Sequence, residues 1–374
     1  MNKPYISIIV PVYNTQKYIS ACLDSLTRQT FEDIEIICID DYSSDDSVNI
    51  AQTYAVKDER IKIIKLNERS GVSKARNIAI KSSSCPYIMF CDSDDKYHPQ
   101  MCEKMFKAIS ENKVDAAICA AEVVYETSKK PNDIPEQNFS IMPEGIKILN
   151  DKAIALASSS IWNKIFKRDI INARNLAFPD VLINEDGFFW NAYACVCQNA
   201  FFLNEKLYRY TRRQNSAVDL MYFKIEDYSL SYLKTAEALY DFFMANGIYK
   251  QKKTFFWEEF FKYCLWTLKH SHADLTDNFI YGKANELINK FNPSKESFDE
   301  ETNLKIAAIK NKRLKRKTWR FPFAWLPIIK TTRTFKKLKI WFLGIPVWKV
   351  KYKINAKIYC LLAFIPVLKT KTEN

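Results

Sequence analysis

The sequence predicts an α/β fold: a mostly parallel sheet with helices on both faces. Two observations predict it. Over the first hundred residues, short β-branched runs alternate with segments whose apolar residues recur every three or four positions. The polar clusters Tyr13–Asn14, Asp40–Asp41, Asn67 and Asp92–Asp95 each follow an apolar run. That rim, at the carboxyl ends of the strands, is where open α/β sheets bind ligands.

The elements follow in order. YISIIVP (5–11) reads as a buried strand. Asn14 or Thr15 can cap a helix whose Tyr18, Ile19, Cys22, Leu23 and Leu26 share one face. IEIICID (34–40) is a second strand, and Ser43, Ser44 and Asp45 offer caps for a helix to about Tyr54. IKIIKL (61–66) is a third strand, Ser70 to Lys81 a helix, and PYIMFC (86–91) a fourth strand. Pro99 to Ser110 carries Met101, Met105, Phe106 and Ile109 on one helical side, and VDAAICAAEVVY (114–125) is strand-like. Residues 221–292 read as mainly helical, dense in aromatic residues around Phe255 to Tyr263.

Composition narrows the chemistry. Six glycines spread singly leave no GxGxxG and no GxxxxGK[ST], which argues against a dinucleotide fold or a P-loop. Ten cysteines without a CxxC, many in apolar runs, read as reduced cytosolic thiols. The apolar run before Pro11 is too short for a signal peptide, and no stretch reaches the roughly 18 apolar residues of a spanning helix. Charge is uneven. Residues 310–374 hold 14 Lys and 4 Arg against one acid, a net of +17. The total is +13, so the preceding residues carry −4. A nucleic-acid binder would explain the tail, but an acidic body with ordered carboxylate motifs argues against one.

The stretch FCDSDDKYHP crowds Asp92, Asp94 and Asp95 at the end of the fourth strand. Like charges this close repel unless something cationic joins them. Hard carboxylate oxygens suit Mg²⁺ or Mn²⁺, which keep waters and bridge to substrate phosphates. With no glycine cradle, such an ion is the natural partner of a diphosphate. A second carboxylate pair, Glu185 and Asp186, precedes Gly187 at a helix start.

SIIVPVYN (7–14), IDDYSSDDS (39–47), the spaced Asn67, Gly71 and ARN (75–77), DSDD (92–95), WNKIFKR (162–168), NED (184–186) and RYTRRQNS (209–216) occur in that order. On these residues the chain resembles the family 2 glycosyltransferases of bacterial surface-polysaccharide and lipooligosaccharide synthesis, over about residues 4 to 220. The resemblance implies a GT-A, Rossmann-like fold and a UDP-sugar donor. It implies that Pro11 and Tyr13 line the base pocket, that Asp41 or Asp40 accepts from the uracil imide, and that Arg76 contacts the nucleotide. Asp92 would bind ribose and stand by the metal, Asp94 would bind the Mn²⁺ or Mg²⁺, and Asp95 would support the pair. Arg212, Arg213 and Ser216 would clamp the diphosphate. Trp162 and Asn163 would meet the acceptor, a glycan or lipid-linked hydroxyl. Asp186 would be the catalytic base, with Glu185 beside it in support. One base and no second nucleophile implies a single inverting displacement. Tyr42 departs from the family's small residue after the acidic pair. A non-catalytic nucleotide-sugar scaffold is the alternative.

Four regions follow: 1–97 for the donor, 98–220 for acceptor and catalysis, 221–309 helical, and 310–374 the basic tail. The tail repeats itself. KIWFLGIPVWKVK (339–351) and KIYCLLAFIPVLKTK (357–371) align at Ile-Pro, and WLPIIK (325–330) is a degenerate copy. Lysine-bounded aromatic patches suit an anionic bilayer surface. The expected location is therefore the cytoplasmic face of the inner membrane, bound peripherally.

Overall fold

The computed structural model describes residues 3–126, 142–213, 226–270, 277–291 and 298–311, and three strands between 329 and 351. They fall into two compact units, Met1–Asn303 and Leu304–Asn374.

The first unit begins with the expected alternation: β1 (Ile6–Val12), α1 (Ile19–Thr27), β2 (Ile34–Asp40), α2 (Ser47–Ala55), β3 (Ile61–Lys65), α3 (Val72–Ser82) and β4 (Tyr87–Phe90). These strands lie in the order β3-β2-β1-β4, all parallel. All of β2 is buried, and all of β1 but Pro11. That is why both read as unbroken apolar runs: helices cover the sheet on both sides. Each isoleucine so buried contributes about 1.5–3 kcal/mol. β3 is an edge strand with exposed Lys62 and Lys65, hence its mixed IKIIK. In α1 the buried Ile19, Cys22, Leu23 and Leu26 recur at helical spacing.

The expected caps serve another purpose. The N-cap positions of α1 and α2 are Tyr18 and Asp46, without side-chain capping bonds. The Asn14–Asp45 polar residues instead tie the β1–α1 loop to the β2–α2 loop. Ser44 N donates to Asn14 Oδ1 at 2.9 Å, Asn14 N to Ser43 Oγ at 3.1 Å and Gln16 N to Asp45 Oδ2 at 3.0 Å. Loop amides near a sheet rim must find acceptors, and the facing loop supplies them.

Beyond β4 come β5 (Lys96–Tyr97), α4 (Met101–Glu111), β6 (Ala116–Tyr125), β7 (Gly145–Ile148), α5 (Asp151–Leu156), β8 (Lys164–Lys167), α6 (Arg168–Ala173), α7 (Glu185–Val196) and β9 (Asn199–Arg212). They extend the sheet as β4-β8-β6-β9-β5, with β7 also on β9. Here the sheet is mixed: β8 runs antiparallel to β4 and β6, while β6 and β9 are parallel. Helices α8 (Glu226–Ala245), α9 (Tyr249–His270) and α10 (Asp277–Phe291) follow, as the helical reading of this region expects, and then α11 (Glu300–Lys310). Every residue of α7 except Asp186 and Val196 is buried. Tyr193 donates to Asp115 O at 2.7 Å on the sheet side, and Asn191 donates to Glu259 and Tyr263 on α9 at 3.3 and 3.2 Å.

In the second unit, β10 (Ile329–Thr334), β11 (Lys337–Phe342) and β12 (Ile345–Lys351) form an antiparallel sheet. The first tail repeat is thus the β11–β12 pair. The second, 357–371, lies outside the described residues.

At the amino end of β2, Glu35 is 2% exposed. It accepts from Ser7 Oγ at 2.5 Å, Ser84 N at 2.8 Å and Lys62 Nζ at 2.6 Å. Burial pushes its pKa up, but the bonds from Lys62, Ser7 and Ser84 overcome that and hold it at about 2. The folded pKa lies below the unfolded one. The stabilisation is therefore present above about pH 4.5 and is lost as pH falls towards 2. Glu35→Ala should cost about 1–3 kcal/mol in urea unfolding at pH 7, because the buried Ser7 and Ser84 donors lose their acceptor while the half-exposed Lys62 ammonium stays hydrated. The variant should also lose less stability than the wild type between pH 5 and pH 2.5. Equal acid sensitivity of the two proteins would refute this role.

Candidate active site

The polar clusters gather at the carboxyl ends of β1, β2 and β4. Tyr13 follows β1 and is 36% exposed, with the Arg69 guanidinium 4.2 Å from its ring centre. This cation–π pair stands over the rim beside Pro11. Asp40 and Asp41 diverge, as adjacent residues on an extended chain do. Asp40 accepts from the Ser43 amide at 3.2 Å, so it closes its own turn. Asp41 accepts from the Ser70 and Gly71 amides at 2.6 and 2.9 Å and shapes the loop that carries Arg69. Gly71 has φ +84°, a left-handed conformation that glycine adopts freely, and from it α3 starts.

The DSDD loop follows β4. Asp95 is 1% exposed. Its carboxylate accepts from Tyr208 Oη at 2.6 Å and the Thr211 amide at 2.7 Å, both on β9, which ties the loop to that strand. Burial, with Asp94 and Asp92 adding, pushes the Asp95 carboxyl well above the usual range. The Asp92 amide in turn donates to Tyr208 Oη at 3.3 Å. Asp94 pairs with Arg213 Nε at 2.5 Å. Burial raises the Asp94 carboxyl, and the Arg213 charge opposes that rise.

Arg76, expected at the nucleotide, is only 4% exposed. One of its terminal nitrogens meets Asp92 Oδ1 at 2.8 Å and the other meets Glu185 Oε1 at 2.6 Å. The buried guanidinium therefore links the end of β4 to the start of α7. Asp186 comes next on α7, and its Oδ1 accepts from the Gly187 amide at 2.7 Å. Burial pushes the Asp186 carboxyl up to about 7, with Glu185 adding and Arg76 opposing. A carboxylate at that value is poised to take a proton near neutral pH.

The structure corrects two acceptor assignments. Trp162 is 5% exposed and stacks on Tyr208 and Tyr210, with ring centres 4.2 and 5.5 Å apart. Asn163 is fully buried. It donates to Cys119 O at 2.8 Å, and its Oδ1 accepts from Ser160 Oγ and Lys164 Nζ. Both side chains pack in the core, where the polar atoms of Asn163 find protein partners. Arg212 ends β9 in register with Tyr125 and is 8% exposed. Of the clamp residues, Arg213 stands against the acidic loop, and Ser216 lies outside the described residues.

Sequence reasoning missed Tyr208, Arg69 and Lys164. Tyr208 lies 113 residues beyond Asp95, and no spacing announces that contact. Arg69 sits in an unremarkable loop. Lys164 stands within WNKIFKR, a signal that was present, yet it is fully buried. It donates to the carbonyls of Ser158 and Ser160 and lies 4.6 Å over Trp190, and burial lowers its pKa to about 7.

Among the described residues no group of three or more His, Cys, Asp and Glu side chains forms a metal cage. Asp92 and Asp94 offer two hard carboxylates, and the recorded ion pairs engage one oxygen of each. That donor set fits a divalent ion that draws its other ligands from water and phosphate.

Residues 7–173 match the family profile described as "Glycosyl transferase family 2". The glycosyltransferase EpsH of Bacillus subtilis (strain 168) is 33% identical over 244 residues, which cover 64% of this chain and 70% of EpsH. The poly(ribitol-phosphate) beta-N-acetylglucosaminyltransferase TarS of Staphylococcus aureus (strain MW2) is 27% identical over 227 residues, covering 59% of this chain and 38% of TarS. Among solved structures, that of S. aureus TarS 1-349 in complex with UDP-GlcNAc superposes with a TM-score of 0.52 at 20% identity, over 91% of this chain and 99% of that one. This last likeness concerns the fold.

Proposed function

The chain belongs to glycosyl transferase family 2 and is a glycosyltransferase, and on that premise we propose that it moves a sugar from a UDP-sugar, with inversion, to a hydroxyl of a glycan or lipid-linked acceptor in cell-surface polysaccharide synthesis. One observation carries the reading. The only residue in the buried first turn of α7 that is not packed away is Asp186, and its raised carboxyl stands beside Glu185, Arg76 and Asp92.

The roles follow from position. Tyr13 presents a ring face to a base, with Pro11 beside it and Arg69 over it. Asp41 holds the neighbouring loop, and its acceptor oxygens suit an imide N–H. Asp40, which likewise accepts from a loop amide, that of Ser43, is the alternative. Asp92 stands at the ribose. Asp94 and Asp92 would hold Mn²⁺ or Mg²⁺, which supplies positive charge to the departing diphosphate. Arg213, now against Asp94, would donate to phosphate oxygens. Asp186 takes the proton of the attacking hydroxyl. The acceptor then attacks the anomeric carbon, the C–O bond to the diphosphate breaks, and the configuration inverts. Solved TarS binding UDP-GlcNAc in the same fold supports a uridine carrier.

The tail adds a partner. In the second unit Lys339 lies opposite Lys349 and Lys337 opposite Lys351. Residues 310–374 carry a net charge of +17. An anionic bilayer surface would attract such a segment, and each lysine near it would add about 1 kcal/mol. This supports peripheral attachment at the cytoplasmic face. Among the described residues no helix is long and apolar enough to cross a membrane.

Three measurements bear on these roles. Asp186→Asn should lower transfer by about 10²- to 10⁴-fold with UDP binding kept. The wild-type rate should fall as pH drops below about 7, because the base is then protonated. A rate that rises on acidification would exclude Asp186 as base. Asp94→Ala should abolish the extra thermal stabilisation that Mn²⁺ gives in the presence of UDP, and an unchanged shift would remove Asp94 from the metal site. Finally, the full chain carrying Lys339→Glu and Lys349→Glu should sediment at least tenfold less with phosphatidylserine vesicles; undiminished sedimentation would overturn the membrane reading.

A further inference from the structure

We propose that Arg76 is a positioning residue that couples the donor site to the base. Its guanidinium holds Asp92 and Glu185 at a set separation, and through Glu185 it orients the first turn of α7. The inference rests on the reading of Asp186 as base.

The geometry is that of a strut. Arg76 is 4% exposed, and its two terminal nitrogens serve different carboxylates at 2.8 and 2.6 Å. The planar fork can span two anions, which a lysine ammonium, a point charge on a flexible stem, does poorly. The helix that carries Arg76 is itself fastened to the segment leading into α7. The next residue, Asn77, donates to Phe178 O at 2.9 Å and accepts from Phe178 N at 2.8 Å. The Phe178 ring then lies 5.5 Å from the Arg76 guanidinium.

The other end of the strut has no slack. Asn184 enters α7 in a left-handed conformation, φ +66°. A Cβ at Gly187 would come within 2.3 Å of Asn184 Oδ1, so the turn around Glu185 and Asp186 is closed on itself. Glu185 cannot shift without carrying Asp186 with it. A donor that settles on Asp92 therefore acts on the base through one rigid guanidinium. A misplacement of about 1 Å at such a site can cost about 10²-fold in rate.

The test is a double-variant cycle. Rates are measured on the UDP-sugar that the wild-type chain consumes fastest with Mn²⁺, water serving as acceptor, and UDP binding is measured by calorimetry. Arg76→Lys and Glu185→Gln should each lower kcat by about 10- to 100-fold. Glu185→Gln should leave the UDP Kd within about threefold, since Glu185 touches no ligand in this scheme. The double variant should lose no more than about threefold beyond the worse single one, because both break the same link. Losses that multiply would overturn the strut. So would an Arg76→Lys enzyme with weakened UDP binding and unchanged kcat, which would make Arg76 a donor ligand. If Arg76→Lys does not fold, Glu185→Gln alone decides: unchanged kcat refutes the proposal. Asp186→Asn keeps the two readings apart. Retained activity there removes the base assignment, whereas the Arg76–Glu185 coupling is scored independently.

Discussion

A guanidinium shut away from water between two carboxylates is the constraint on which the site depends. Two charges 4 Å apart interact by about 4 kcal/mol at an effective dielectric of 20, against about 1 in bulk water. Removing one partner of such a buried set leaves an uncompensated charge and costs about 3–5 kcal/mol. Arg76, Asp92 and Glu185 are thus tied to one another by the burial that makes each of them costly alone. Their link joins a parallel half-sheet, which receives the donor, to the helix that presents Asp186.

The same economy of charge recurs through the site. Three acids, Asp92, Asp94 and Glu185, meet two arginines, Arg76 and Arg213. Asp95 is settled by a tyrosine hydroxyl and a backbone amide instead of a cation. Its hydrogen bonds anchor the acidic loop to β9, so the loop's shape is set by the far half of the sheet. What remains is a concentration of negative charge that suits a divalent cation with a diphosphate, and one carboxyl, on Asp186, that burial has raised to about 7. The helices after β9 belong to this arrangement. Asn191 reaches Glu259 and Tyr263, and the Leu182 amide donates to Ser231 Oγ at 3.3 Å, so α7 is braced from behind.

Much of the donor half was legible in the chain. Unbroken β-branched runs and amphipathic helices need only local chemistry and burial on both faces, and β1 to β4 follow the expected bounds within a residue or two. The acids at the strand ends were legible too, because three carboxylates in four positions are costly without a counter-charge. Trp162 and Asn163 show where this fails. Both lie in a motif shared with sugar transferases, and motif residues can equally be core. The stacking of Trp162 on Tyr208 and Tyr210 requires two strands that meet only when the chain has folded.

The sequence by itself determined the α/β class, the parallel half-sheet, the rim on which the acids stand and the family to which they belong. These depend on patterns within a few residues and on motif order along the chain. Tertiary structure decided what each charge faces. It set Arg76 between Asp92 and Glu185, ended β9 on Arg212, and set Arg213 on Asp94. Partners that lie 16 residues apart in one case, 109 in a second and 119 in a third are chosen by packing and by the cost of burying a charge alone, and no local periodicity encodes that choice.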